Sequence, residues 1–210
     1  GRKAMNKELE KLEFPVKDDN GKIIRPAAWD ISKVESKGVV MQRARDEKKE
    51  VHFGSLKATC HIKNFEKTRI EWQYKGRIVF RGDLVKDETG HKAVFTEQST
   101  CASYMAGTKF LDIVARFPGC IGEDADATSA FTQITLEEAA EILGVQHVPQ
   151  TLISIPKDRW PQEWHDRVAK GDLLDPVCPL VINLYGHPIA GLLWDKCSQT
   201  RILSSGFEKY

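Results

Sequence analysis

Apolar residues recur at helical spacing in some stretches of the chain and alternate in others. Met5, Leu9 and Leu12 fall on one stripe, which predicts a short amphipathic helix over 3–12. Asp18-Asp19-Asn20-Gly21 is a turn signal, and 22–25 reads as a short strand before Pro26. Residues 27–49 mix polar and apolar positions and run into the charged stretch 43–50, so they are expected to be partly helical. Residues 52–66 show no decisive period. Residues 70–81 (IEWQYKGRIVFR) alternate as strands do, with Ile70, Trp72 and Tyr74 on one face and Ile78 and Phe80 on another. A turn at 87–90 lets 93–95 return as the partner strand, giving a basic β-hairpin.

The clearest helix covers 101–117, where Met105, Phe110, Leu111, Ile113, Val114 and Phe117 recur at helical spacing and Pro118-Gly119 stops them. The next stretch, 119–133 (GCIGEDADATSAFTQ), is expected to be a strand with two late acids, Asp124 and Asp126. Four small residues and one aromatic, Phe131, follow them. Residues 136–143 predict a helix closed by Gly144, and 151–155 a strand ended by Pro156. Residues 160–170 are a short surface helix or a loop. The apolar segment 177–184 leads into Tyr185-Gly186, and 192–203 is expected to be helical, ending near Gly206. Helices and strands alternate irregularly without an internal repeat, which favours an α+β fold.

The 210 residues are enough for one large domain or two small subdomains. No apolar run approaches the roughly 18–20 residues that span a bilayer, and the polar N-terminus is not a signal peptide. Five widely spaced cysteines without a CxxC pair point to reduced thiols in an intracellular, non-secreted protein. Cys60-His61 with His52 fits no standard zinc spacing. Gly1 in place of Met points to a fragment or a processed product. The net charge of +1 hides an asymmetry: residues 1–86 carry 21 Lys+Arg against 13 Asp+Glu, and 87–210 carry 10 against 17. That division suits a chain holding a polyanion with its first part and a metal with its second, and it equally suits a solvated charged surface.

Four constellations carry chemistry. Residues i and i+2 of a strand share a side, so Asp124 and Asp126 can together present oxygen ligands to Mg²⁺, a hard ion that keeps phosphates and waters in its shell. The same pair also occurs at ordinary strand ends and in loops. Phe131, five residues after Asp126, reads by itself as a core aromatic. Lys75, Arg77 and Arg81 fall at i, i+2 and i+6 of the strand pattern and project to one side, where Arg suits phosphate oxygens; a solvated hairpin face has the same pattern. The segment 183–194 (NLYGHPIAGLLW) marks a loop that brings backbone close to something, with His187 either a contact or incidental.

The order of these blocks is more specific than any one of them. YKGRIVFRG (74–82), FTEQSTCAS (95–103), a helix, DADATSAF (124–131), LISIP (152–156), LYGHPIAGLLW (184–194) and SSGF (204–207) together resemble the reverse transcriptase of Ty1/copia-type retrotransposons. That family shows a Lys-x-Arg-Leu-Val-x-Arg-Gly block, an Asp-Val-Lys-(Ser/Thr)-Ala-Phe block and a Leu-Tyr-Gly-Leu-Lys-Gln-Ala-Pro-x-x-Trp block in the same order. The wording here looks like a divergent branch, and the resemblance runs from about residue 74 to the C-terminus.

The resemblance implies a polymerase-like α+β fold. Residues 1–70 would be an N-terminal extension and the start of the fingers, 71–118 the fingers hairpin and helix, and 119–210 a partial palm. It implies Asp126 as the first catalytic, metal-binding aspartate, with the Ala127 carbonyl completing the Mg²⁺ shell. Phe131 would lie under the incoming sugar and select deoxynucleotides. Arg77 would contact the triphosphate with Lys75 nearby, and Tyr185 and Gly186 would belong to the loop beside the nucleotide. Asp124 takes no family role. The implied partners are dNTPs, an RNA or DNA primer-template and further segments of the Pol polyprotein.

Two departures stand out. Ile189 occupies the position of the family's Gln four residues after the loop Tyr, and no Tyr-x-Asp-Asp block follows SSGF. Two-metal phosphoryl transfer needs carboxylates from two strands. The expectation is therefore a reverse-transcriptase fragment, inactive by itself in RNA-directed DNA synthesis. The alternative is a nucleic-acid-binding remnant or domesticated interaction domain without catalysis.

Overall fold

The structure is a computed structural model that describes residues 1–95, 105–122 and 126–208. Helix α1 (Arg2–Glu13) extends the expected stripe by a residue at each end and buries Leu9 and Leu12. The expected turn and the strand after it are present: β2 (Ile23–Arg25) pairs across the DDNG turn with a strand the sequence did not announce, β1 (Val16–Lys17). Asp18 holds that turn, accepting at Oδ1 from the backbone N–H of Asn20 and Lys22. Strand β3 (Glu35–Ser36) and helix α2 (Lys37–Glu47) occupy the mixed segment.

The indecisive residues 52–66 belong to the longest strand, β4 (Val51–Lys63). Its first half pairs in parallel with β6 (Gln150–Ser154), Val51 opposite Gln150 through Ser55 opposite Ser154. Its second half pairs antiparallel with β5 (Gln73–Phe80), from Leu56 opposite Phe80 to Lys63 opposite Gln73. Val51, His52 and Phe53 are buried, whereas the outer half of the strand is largely exposed. One strand with two environments cannot show a single hydrophobic period. The sheet is completed by β7 (Pro176–Pro179), giving the order β3-β7-β6-β4-β5.

The basic hairpin is thus β4–β5, and the expected pairing of β5 with 93–95 is corrected. Residues 86–92 close a small local turn instead, in which the Ala93 N–H donates to Val85 O at 3.0 Å and Asp87 accepts from the Thr89 and His91 N–H groups. A division of the chain at residue 70 would separate β4 from its partner β5.

Helix α3 (Met105–Val114) lies within the predicted 101–117 helix, whose residues 101–104 fall outside the described set; Phe110, Leu111, Ile113 and Phe117 are exposed. Helix α4 (Ala139–Leu143) starts three residues later than the apolar pattern suggests. Thr135 and Glu138 form a reciprocal cap there, with the Thr135 Oγ1–H donating to Glu138 Oε2 at 2.8 Å. Gly144 ends α4 in the left-handed region. Segment 160–170 resolves to helix α5 (Gln162–Lys170), with Trp164 buried. Helix α6 (Ala190–Ser204) packs Leu193 against Ile134 and Ala139. The main core lies on one side of the sheet, among Leu9, Leu12, Ile78, Phe80, Ile153, Trp164 and Leu184. The fold class is α+β. Among the described residues no helix is long and apolar enough to cross a membrane.

Candidate functional site

β5 presents Lys75 and Arg77 outward and turns Gly76, Ile78 and Phe80 inward. Gly76 lets α1 cross the strand at close range. A Cβ there would stand 2.6 Å from the Ala4 carbonyl oxygen and 2.8 Å from Met5 Cα. α1 packs on the Gly76 face, and its Glu8 and Lys11 border the same cavity as Lys75 and Arg77.

The 119–133 stretch differs from its expectation. Among the described residues it is not a strand: 126–129 form a loop and turn, and Ala130–Gln133 a single 3-10 turn. The reason is local. Thr132 Oγ1 donates to Ser129 O at 2.9 Å, Gln133 Nε2 donates to Thr128 O at 2.8 Å, and Ser129 adopts left-handed backbone with φ of 54°. Small polar side chains that bond their own backbone favour turns over a ladder. Asp124, expected to share a side with Asp126, lies outside the described residues.

The loop after Leu184 locks onto the end of β5. The Phe80 N–H donates to Tyr185 O at 2.8 Å. Gly186 has φ of +87°, and a Cβ on it would overlap the Phe80 carbonyl, so the tight approach requires glycine. Tyr185 lies against Phe131, ring centroids 4.7 Å apart at 51°.

These placements create a cavity of about 430 Å³ bordered by Lys75, Arg77, Asp126, Ala127 and Tyr185, with Glu8 and Lys11 on the α1 side. Of the seven residues to which the family resemblance gives a role, five therefore share one space. The other two support it: Phe131 backs the Tyr185 ring, and Gly186 sets the loop's distance from β5. Arg81, expected beside Lys75 and Arg77, leaves the strand face and pairs with Asp83 at 2.9 Å, which lowers the Asp83 carboxyl below its usual range.

A second cavity of about 340 Å³ shares Glu8, Lys11, Ile78, Ser129 and Tyr185 with the first and adds Arg25. The Arg25 guanidinium donates through Nη2 to Lys11 O, while Nη1 is buried without a partner. Glu8, Lys11, Arg25 and Ser129 were not found from the sequence. Nothing local in α1 or β2 announces that they land beside β5.

Asp126 and a backbone carbonyl at Ala127 offer two hard oxygens. Among the described residues no cluster of three or more His, Cys, Asp or Glu side chains could hold a metal. The pair fits Mg²⁺ delivered with phosphates, since that ion commonly takes one or two carboxylates and fills its shell with phosphate oxygens and water.

His187, the open question of the glycine-rich loop, is a core residue. It is 5% exposed, its Nε2 lies 3.1 Å from Thr151 Oγ1, and its ring centroid lies 4.9 Å from that of Phe80. Burial, with the nearby His52 adding to it, pushes its pKa down to about 3, so the ring is neutral.

The β4–β5 connection carries the exposed Phe65, the half-buried Trp72 and exposed basic groups. Phe65 and Trp72 stack with centroids 5.1 Å apart, and the Arg69 guanidinium lies over the Trp72 ring at 5.5 Å. Compared with known proteins, the chain matches no family model, no curated protein and no solved structure.

Proposed function

We propose that the chain is the fingers and first half of the palm of a copia-type reverse transcriptase, with a polymerase-like fold, and that its site takes a deoxynucleoside triphosphate. One observation carries this reading: Lys75, Arg77, Asp126, Ala127 and Tyr185 come from three separate stretches and border the same cavity, with Phe131 packed on Tyr185. In this reading Arg77 and Lys75 hold phosphate oxygens, Arg through its planar fork. Tyr185, backed by Phe131, supports the sugar. Asp126 and the Ala127 carbonyl hold Mg²⁺. Bound there, Mg²⁺ would supply positive charge to offset the charge that develops on the phosphate oxygens.

The 210 residues contain no Tyr-x-Asp-Asp block, and two-metal transfer needs carboxylates besides Asp126. The chain is therefore proposed to bind the nucleotide and not to extend a primer. Isothermal titration with dTTP tests the first half: binding strengthened by Mg²⁺, and weakened at least tenfold by Arg77→Gln, is expected. Absence of dTTP binding, or indifference to Arg77→Gln, refutes the reading. Primer extension on a primed RNA template tests the second half, and robust synthesis overturns it.

The second reading, nucleic-acid binding without catalysis, is favoured by the Phe65–Trp72 stack with Lys67 and Arg69 close in the chain. Phe65, exposed and backed by the Trp72 ring beside these cations, offers a stacking surface for single-stranded bases. Binding of an oligonucleotide that disappears in Trp72→Ala, with no dTTP affinity, would select it.

A further inference from the structure

On the α2 side of the sheet, the parallel β4–β6 ladder ends in a change of chemistry. Phe53 lies opposite Leu152, and both pack under Val40 and Ala44 of α2. Two residues on, facing the same way by strand alternation, Ser55 lies opposite Ser154. Neither serine hydroxyl makes a hydrogen bond among the described residues. On its other flank Phe53 bridges to Lys86, and Lys86 bridges to Lys92. Like charges directly opposite each other across a ladder are destabilising. Among the described residues neither lysine has an ion-pair partner that would relieve this. Lys37, at the start of α2, adds a third ammonium. It lies 5.3 Å from the Phe53 ring centroid and 3.9 Å from the exposed carboxylate of Asp175. All three lysines and both serines line one cavity of about 340 Å³. The carboxylate that also borders it, Asp83, is held by Arg81 at 2.9 Å. Lys86 and Lys92 are exposed, so their ammonium groups are open to a ligand. This cavity shares no lining residue with the two beside Tyr185.

We propose that Lys37, Lys86 and Lys92, with the Ser55 and Ser154 hydroxyls, bind a small ligand carrying two or more phosphate groups. Such an anion removes the repulsion between the opposed lysines. Ammonium groups serve phosphate as point charges, and the two hydroxyls can donate to its remaining oxygens. At about 340 Å³ the cavity lies near the small end of the range for ligand pockets, roughly 300–1,000 Å³. That size favours a compact diphosphate or triphosphate over a nucleic-acid strand. The site is separate from the proposed nucleotide trough and does not depend on that reading.

The test is isothermal titration of the full chain with inorganic pyrophosphate in the absence of Mg²⁺, and separately with a twelve-residue oligothymidylate. One variant combines Lys86→Gln with Lys92→Gln. A charge-matched control combines Lys22→Gln with Lys170→Gln, two exposed lysines outside this cavity. Arg77→Gln reports on the other site, and each variant is checked for native circular dichroism. Charge-assisted contacts to phosphate are worth a factor of about ten or more. The Lys86/Lys92 variant is therefore expected to weaken pyrophosphate at least tenfold, with the control close to the parent. Saturating pyrophosphate should also raise the urea midpoint of the parent and not of that variant. Equal loss in the control reduces the effect to net charge and overturns the proposal. Loss in Arg77→Gln but not in the Lys86/Lys92 variant places pyrophosphate in the Tyr185 trough, which overturns this inference and leaves the nucleotide reading standing. Absence of pyrophosphate binding overturns it too, and oligothymidylate binding that then falls in the Lys86/Lys92 variant would assign the lysines to a strand backbone instead.

Discussion

Substituting Gly76 by alanine tests the contact on which the trough depends. In a strand, Gly→Ala is ordinarily favourable by roughly 0.5–1 kcal/mol, because glycine loses more backbone freedom on folding. Gly76 does not need left-handed backbone, so sterics alone decide the sign. The added Cβ would lie 2.6 Å from Ala4 O and 2.8 Å from Met5 Cα, whereas ordinary contact begins at 3.4 Å. The α1 backbone must retreat by about 0.8 Å, the difference between 3.4 and 2.6 Å. Overpacking of this kind costs roughly 1–3 kcal/mol. The ceiling is set by losing the burial of Leu9 and Leu12, about 1.5–3 kcal/mol for each side chain.

The expected net change is destabilisation of about 1–3 kcal/mol, read from the urea midpoint at constant m-value. The matched control is Gly38→Ala in α2, where a Cβ meets nothing within 4 Å; it should be neutral or stabilise by up to about 1 kcal/mol. Hydrogen exchange should show the α1 amides losing protection before those of β6. If Gly76→Ala is as stable as the parent, or more so, α1 does not cross β5 at this distance and the walls supplied by Glu8 and Lys11 are misplaced.

His187 should make the protein less stable in mild acid. Its folded pKa of about 3 lies below the unfolded value near 6.5. The unfolded state therefore binds the extra proton, and stability falls as pH drops from about 6.5 towards 3. Between pH 7 and 5 the loss is about 2 kcal/mol, and His187→Phe should lack that part of the slope in urea titrations. Cys178 is buried and its thiol pushed up to about 12, whereas Cys60 and Cys120 are exposed. Brief iodoacetamide treatment at pH 8, followed by peptide mass spectrometry, should label Cys60 and Cys120 and reach Cys178 only in urea. Lys75→Gln and Arg77→Gln should each lower the slope of log K against log salt for single-stranded DNA by about 0.7; an unchanged slope would remove both residues from the phosphate contacts.

Much of the chain's local structure was legible because short-range physics decides it. The α1 stripe, the DDNG turn, the Gly144 stop and the β6 strand around Leu152 and Ile153 each follow from side-chain pattern or from backbone freedom. The pairing of Lys75 and Arg77 on one side of β5 followed from strand alternation alone. What one dimension hid was partner choice. β4 looked patternless because half of it is buried between β6 and the core while half is an exposed ribbon. Segment 93–95 looked like the partner of β5 because it was the next apolar run, yet the longer register with β4 offers eight paired positions. The acidic stretch looked like a strand because its small polar residues carry no mark of whether they bond their own backbone or a neighbour's.

The candidate site divides along the same line. Residue types in order named Lys75, Arg77, Asp126, Ala127, Phe131, Tyr185 and Gly186 as chemistry-bearing, because carboxylate, guanidinium, aromatic and glycine have their properties wherever they stand. Only the tertiary structure decided that five of them border one cavity, that Phe131 and Gly186 act through Tyr185 and β5, and that His187 is a neutral core side chain. It alone brought in Glu8, Lys11 and Arg25, because the approach of α1 to β5 depends on a missing Cβ at Gly76 and on burial of Leu9 and Leu12. Those are long-range contacts, and no window of neighbouring residues contains them.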